Sequence, residues 1–82
     1  MRQLVNTPTQ VGGIIRARRK ARGISQDELA RKVGLSQSRL SILEADPSAM
    51  TLERLIVLAK LLDLEIVIQD KAREPSSSKA QW

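Results

Sequence analysis

The stretch from Ser25 to Asp46 constrains the fold of this chain more than any other part of it. Ser25 and Glu28 stand at capping-box spacing, serine for the free amides of a helix start and glutamate to reach back. Leu29, Ala30 and Val33 then recur at helical spacing until Gly34 stops them. After Leu35, Ser36 caps a second run, whose Leu40 and Leu43 point inward, and Pro47 breaks that run after Asp46. The pattern is two short helices joined by a tight turn at Gly34–Leu35. Ala30 lies mid-helix, where a small side chain lets the two helices cross closely, and Gly34 supplies a left-handed turn without steric cost. Gln26, Ala30, Gly34 and Leu40 together keep the spacing of a helix-turn-helix unit.

Helices are expected on both sides of this unit. Thr7 caps the first, with Pro8 at its first position, Gln10 three residues after the cap, and Val11, Ile14, Ile15 and Ala21 as its apolar positions. Gly12 and Gly13 weaken it locally, and Gly23 ends it. Thr51 caps a last helix carrying Leu52, Leu55, Ile56, Leu58, Ala59 and Leu62. Beyond it, Leu64, Ile66 and Ile68 alternate with Glu65, Val67 and Gln69, the period of a strand. The alternative, that the last helix continues through Ile68, is disfavoured by the β-branched residues there. No second strand is evident, and a lone strand leaves its edges unpaired. Pairing with the same strand of a second copy, in a two-fold homodimer, is the economical solution. Leu64, Ile66 and Ile68 are then the dimer strand.

Composition narrows the chemistry. The 82 residues suit one small domain. There is no Cys and no His, which removes disulfides, thiolates, the commonest metal ligand and the commonest general base. Paired carboxylates in an apolar setting, a nucleophile with a base and a phosphate-binding glycine loop are also missing. Asp27 and Glu28 read as the acidic first turn of a helix. No catalytic residue, metal site or cofactor is expected. Neither a signal sequence nor a membrane-spanning run is evident, so a soluble cytoplasmic protein is the default.

The net charge of +5 is unevenly distributed. Residues 1–39 hold nine basic and two acidic groups, residues 40–82 five basic and seven acidic. A basic half suited to phosphate is one reading and a solvated cationic helix the other. The helix after Ser36 favours the first. With Leu40 and Leu43 inward, Gln37, Ser38 and Ser41 face out beside Ile42, and Arg39 lies on the flank. Gln suits adenine, Arg guanine, and Ser is permissive, so Gln37, Ser38, Arg39 and Ser41 are candidate base readers in a major groove. The alternative is a merely solvated polar face. Ser25 and Gln26 open the preceding helix, where free amides attract an anion, and are candidate phosphate contacts. The cations of the first helix, Arg16, Arg18, Lys20 and Arg22, raise the local potential.

The run SQDELARKVGLSQSRLSILEAD resembles the phage-repressor-type (Cro/C1, XRE) helix-turn-helix family. The resemblance implies that Gln26 touches phosphate, that Gln37 reads a base, and that Arg19 and Glu44 form a structural ion pair. The chain departs from some phage repressors at Ser38 and Ile42, so no operator sequence carries over. A narrower resemblance spans nearly the whole chain. The opening TPTQV, the helix TLERLIVLAKLLDL, the strand EIVIQD and the polar tail ending in Trp82 are similar to the HipB antitoxins. That resemblance implies a homodimer on a palindromic operator, repression of its own toxin–antitoxin operon, and neutralisation of a HipA-like Ser/Thr kinase toxin.

The expected architecture is mainly α. Residues 1–70 form a four- to five-helix Cro/C1-type domain for DNA binding and dimerisation, with one short C-terminal strand pairing across a homodimer. Residues 71–82 read as a disordered tail. Its Trp82, the only aromatic residue of the chain, is either a partner-binding anchor or an incidental terminal residue. The competing function is a stand-alone phage-type or restriction–modification controller without a toxin partner.

Overall fold

The computed structural model describes residues 1–71. Four α-helices follow one another: α1 Pro8–Ala21, α2 Gln26–Lys32, α3 Gln37–Ala45 and α4 Leu52–Leu61, with a 3-10 turn Pro47–Ala49 between the last two. Each α-helix is capped by the hydroxyl residue expected from the sequence, Thr7, Ser25, Ser36 and Thr51. Thr7 and Ser25 form reciprocal boxes with Gln10 and Glu28. These caps are local chemistry, satisfying amides that no turn of helix can reach.

Three helices end in the same way. After α1, α2 and α4, the amide two residues past the cap turns back to a carbonyl of the last helical turn: Ile24 N to Arg19 O at 3.0 Å, Leu35 N to Ala30 O at 2.8 Å, and Leu64 N to Ala59 O at 2.8 Å. Each motif thereby drives an apolar residue, Ile24, Leu35 or Leu64, onto the core. The pivot residue of such a motif adopts positive φ. At α2 it is Gly34, with φ 74°. At α4 it is Asp63, with φ 59°, a conformation that costs an L-residue about 1–2 kcal/mol. Arg18 of α1 and Arg22, its C-cap, stand beside this carboxylate, at 3.8 and 3.7 Å.

Ile15, Leu29, Ala30, Leu40, Leu58 and Leu62 form the core, drawn from all four helices and the cap of the last. The largest wholly buried side chains are Leu29, Leu40, Leu58 and Leu62, each worth about 1.5–3 kcal/mol of transfer energy. α3 packs on both α1 and α2, and it is held from two sides. Gly12 makes the α1 contact possible. A Cβ there would overlap the carbonyl oxygen of Glu44, with Pro47 Cδ also at 3.2 Å, whereas Gly13 faces open space.

Some expectations are corrected. Ala21 is exposed, because the last turn of α1 runs past the core. Leu52 and Ile56 are exposed, on the side of α4 turned from the core. As the β-branched residues beyond it imply, α4 ends at Leu61 and does not continue through Ile68. No strand ladder forms within the single chain among the described residues. Residues 64–70 follow α4 outside any helix, with Leu64 half-buried and Ile66 and Ile68 exposed. Trp82 and the rest of the tail beyond Lys71 lie outside the described residues.

Candidate nucleic-acid interface

α3 presents two unlike faces. Leu40, Leu43 and Glu44 are buried, while Gln37, Ser38, Arg39, Ser41 and Ile42 are exposed. The division follows from helical geometry: residues three and four apart share a side, so 40, 43 and 44 turn inward together. Ser36 fixes the start of the helix by accepting from the Arg39 amide at 3.1 Å. Its first turn carries no acidic residue. A helix N-terminus without local carboxylates keeps its positive end available to an anion.

The arrangement behind this face is polar and fully bonded. Arg19 of α1 donates from Nε to Glu44 Oε2 at 2.8 Å and from Nη2 to Glu44 Oε1 at 3.0 Å. Its Nη1 donates to the Ile24 carbonyl at 3.1 Å. Both side chains are almost completely buried, 9% and 1% exposed. The bond to Glu44 raises the pKa of Arg19 above the ordinary guanidinium value, against the opposing effect of burial. A buried pair survives only when its geometry is good and its polar atoms are bonded; here each of the three guanidinium nitrogens has an acceptor.

Glu44 also receives a third donor. Gln26 Nε2, at the start of α2, donates to Glu44 Oε1 at 3.1 Å. The oxygen of the same amide accepts from Gln37 Nε2 at 3.5 Å. A chain of contacts thus runs from the core, Arg19 to Glu44 to Gln26, out to Gln37 on the exposed helix. Gln26 is half-buried and Ser25 exposed. Ser25 Oγ is engaged in capping, accepting from the Glu28 amide at 3.0 Å.

The sequence-predicted residues therefore divide into two groups. Ser25, Gln26, Gln37, Ser38, Arg39 and Ser41 belong to α2, α3 and their caps, and Arg19 and Glu44 lie beneath them. Leu64, Ile66 and Ile68 follow α4 and take no part in this surface. Three arginines have roles that sequence reasoning missed. Arg16, half-exposed, reaches within 3.8 Å of Glu44 Oε1, the oxygen to which Gln26 also donates. Arg18 Nε donates to the Leu62 carbonyl at 2.9 Å, and Arg54 Nη1 donates to the Val33 carbonyl at 3.0 Å. The latter two satisfy orphan carbonyls at the ends of α4 and α2. Only the basic residue type is visible in sequence, and the carbonyls lie 44 and 21 residues away.

The family profile described as HTH_3: Helix-turn-helix matches residues 15–68. The chain is 31% identical over 80 residues to Antitoxin HipB of Escherichia coli strain K12, an alignment covering 96% of this chain and 91% of that one. It is 40% identical over 62 residues to an HTH-type transcriptional regulator of Sinorhizobium fredii, covering 76% of this chain and 32% of the relative. Among solved structures, that of the HipA-HipB-O2-O3 complex contains a chain of 30% identity with a TM-score of 0.76, covering 87% of this chain and 100% of that one. The HipB-O4 20mer complex matches with a TM-score of 0.75 at 30% identity, again covering 87% and 100%. The chain belongs to the Cro/C1-type helix-turn-helix family and, within it, to the HipB antitoxins.

Proposed function

We propose that this protein is a sequence-specific DNA-binding antitoxin without catalytic activity. As a homodimer it binds a palindromic operator, represses its own operon and neutralises a HipA-like Ser/Thr kinase toxin. One observation carries the DNA part: the exposed Gln37, Ser38, Arg39 and Ser41 stand on a helix whose other side, Leu40, Leu43 and Glu44, is buried. Such a helix is rigidly backed and polar outward, as groove reading requires. Ser25 and Gln26 at the start of α2 are the phosphate contacts in this reading. A contact to phosphate from Gln26 uses an amide already oriented by Glu44.

The toxin part rests on kinship with HipB proteins, one of which is seen in a complex with HipA. Trp82, outside the described residues, is the candidate contact to that partner. Two-fold pairing through Leu64, Ile66 and Ile68 sets two α3 helices against half-sites about 34–36 Å apart, one turn of DNA. The test is a nuclease footprint over the promoter of the protein's own gene, with a pull-down of any kinase encoded beside it. Two protected half-sites one turn apart, and capture of the kinase by the full chain but not by a chain ending at residue 74, are expected. A promoter without protection contradicts the DNA reading. Kinase capture unaffected by the truncation contradicts the role of the tail.

A further inference from the structure

Ile42 is unlike the rest of the surface that carries it. Its side chain is 61% exposed, and among the described residues it is the one large apolar side chain exposed on α2 or α3. Helical period sets Ile42 and Ser38 nearest the direction opposite Leu40, Leu43 and Glu44. Ile42 therefore stands in the middle of the polar face formed by Gln37, Ser38, Arg39 and Ser41. The packing of the chain does not use it, since it is not among the apolar residues set against the core. Nor does helix formation call for it. A β-branched residue is a weaker helix former than the long polar residues that suit an exposed position. What isoleucine offers there is a stiff, branched apolar surface, because its χ1 is nearly fixed in a helix.

We infer that Ile42 reads the C5 methyl group of a thymine in the major groove, as a specificity-determining residue beside the four polar ones. The inference rests on the reading of α3 as the groove helix and adds to it a contact of a different kind. The base-pair edges in the major groove offer hydrogen-bond donors and acceptors, and the thymine methyl is the one apolar group among them. An exposed apolar side chain at the centre of a groove-facing helix has that single complementary target. Ile42 lies about 7.5 Å further along the helix axis than Gln37, more than one base-pair rise of about 3.4 Å, so the two meet different base pairs. The contact works by burial and involves no charge. It therefore separates thymine from uracil, which present the same hydrogen-bonding groups and differ only in the methyl.

Deoxyuridine isolates the methyl group. Duplexes carrying the half-sites that the protein protects in its own promoter are made with each thymine replaced in turn by uracil. The affinities of the wild type, Ile42→Ala and Gln37→Ala are measured across the set by fluorescence anisotropy. One thymine in each half-site is expected whose replacement weakens the wild type about fourfold or more, as loss of one buried methyl implies. Ile42→Ala should be indifferent to that replacement, whereas Gln37→Ala should still respond to it. Thermal unfolding should show no loss of Tm in Ile42→Ala, as an exposed position implies. A wild type that responds to base-pair changes but to no uracil overturns this inference alone. So does an Ile42→Ala variant that keeps the full response to uracil, or whose Tm falls by several degrees, which would show the side chain packed within the chain. Wild-type binding that no base-pair change alters overturns the reading of α3 and this inference with it.

Discussion

Arg19 and Glu44 lie 25 residues apart and meet in the interior through two parallel hydrogen bonds, 2.8 and 3.0 Å long. The pair ties α1 to the end of α3, and its carboxylate also orients Gln26. One interaction therefore serves both the packing of the domain and the shape of its exposed surface.

Breaking the pair from one side should be expensive. Glu44→Ala leaves the Arg19 guanidinium buried beside nothing that balances it, a loss of about 3–5 kcal/mol. Urea unfolding followed by circular dichroism measures this. The double variant Arg19→Met with Glu44→Leu should recover most of the stability, because two apolar groups need no solvation. It should still bind DNA more weakly than the wild type, since Gln26 has lost its acceptor. Full DNA affinity in a stable double variant would show that the orientation of Gln26 is immaterial.

The adjacent glycines of α1 should respond with opposite signs. Gly13→Ala enters open space on a helix and should stabilise by about 1 kcal/mol. Gly12→Ala forces α1 away from the Glu44 carbonyl and should destabilise by about 1–3 kcal/mol, as overpacking does. Thermal unfolding of the two variants decides the matter. A Tm change of the same sign in both would contradict the close approach of α1 and α3.

Ile66→Lys alters a half-exposed side chain in the segment after α4. It should leave the unfolding midpoint of the monomer nearly unchanged, as surface substitutions do, within about 0.5 kcal/mol. It should weaken self-association and, through it, operator binding. A variant that sediments as an intact dimer would remove Ile66 from the interface.

How much of this is legible in sequence depends on the range of each interaction. The caps Thr7, Ser25, Ser36 and Thr51 act within three residues, and every one is where its spacing implies. The turn at Gly34 is equally local. The inward residues of α3, Leu40 and Leu43, follow from helical period. The end of α4 is different. Its pivot is Asp63, and the cations beside that carboxylate, Arg18 and Arg22, come from α1 and its C-cap. No local rule marks a helix end at an aspartate whose partners lie on a helix so distant in the chain. The contact that Gly12 permits, the bond from Gln26 to Glu44, and the position of Arg16 near the same carboxylate likewise depend on how α1, α2 and α3 cross. The short 3-10 turn after Asp46 is hidden behind Pro47, since a proline signals that a helix breaks without specifying the turn beyond it. Leu52 and Ile56 mislead because apolar residues on a helix signal burial without saying what covers them.

The most direct test of the central claim, that α3 reads bases, is a set of operator duplexes each changed at one base pair. The affinities of the wild type and of Gln37→Ala are measured across the whole set by fluorescence anisotropy at fixed salt. The wild type should lose about 1–3 kcal/mol at one position in each half-site, and Gln37→Ala should be indifferent to that position while keeping the other preferences. Parallel losses across every duplex, or an unchanged profile, would contradict a reading role for Gln37.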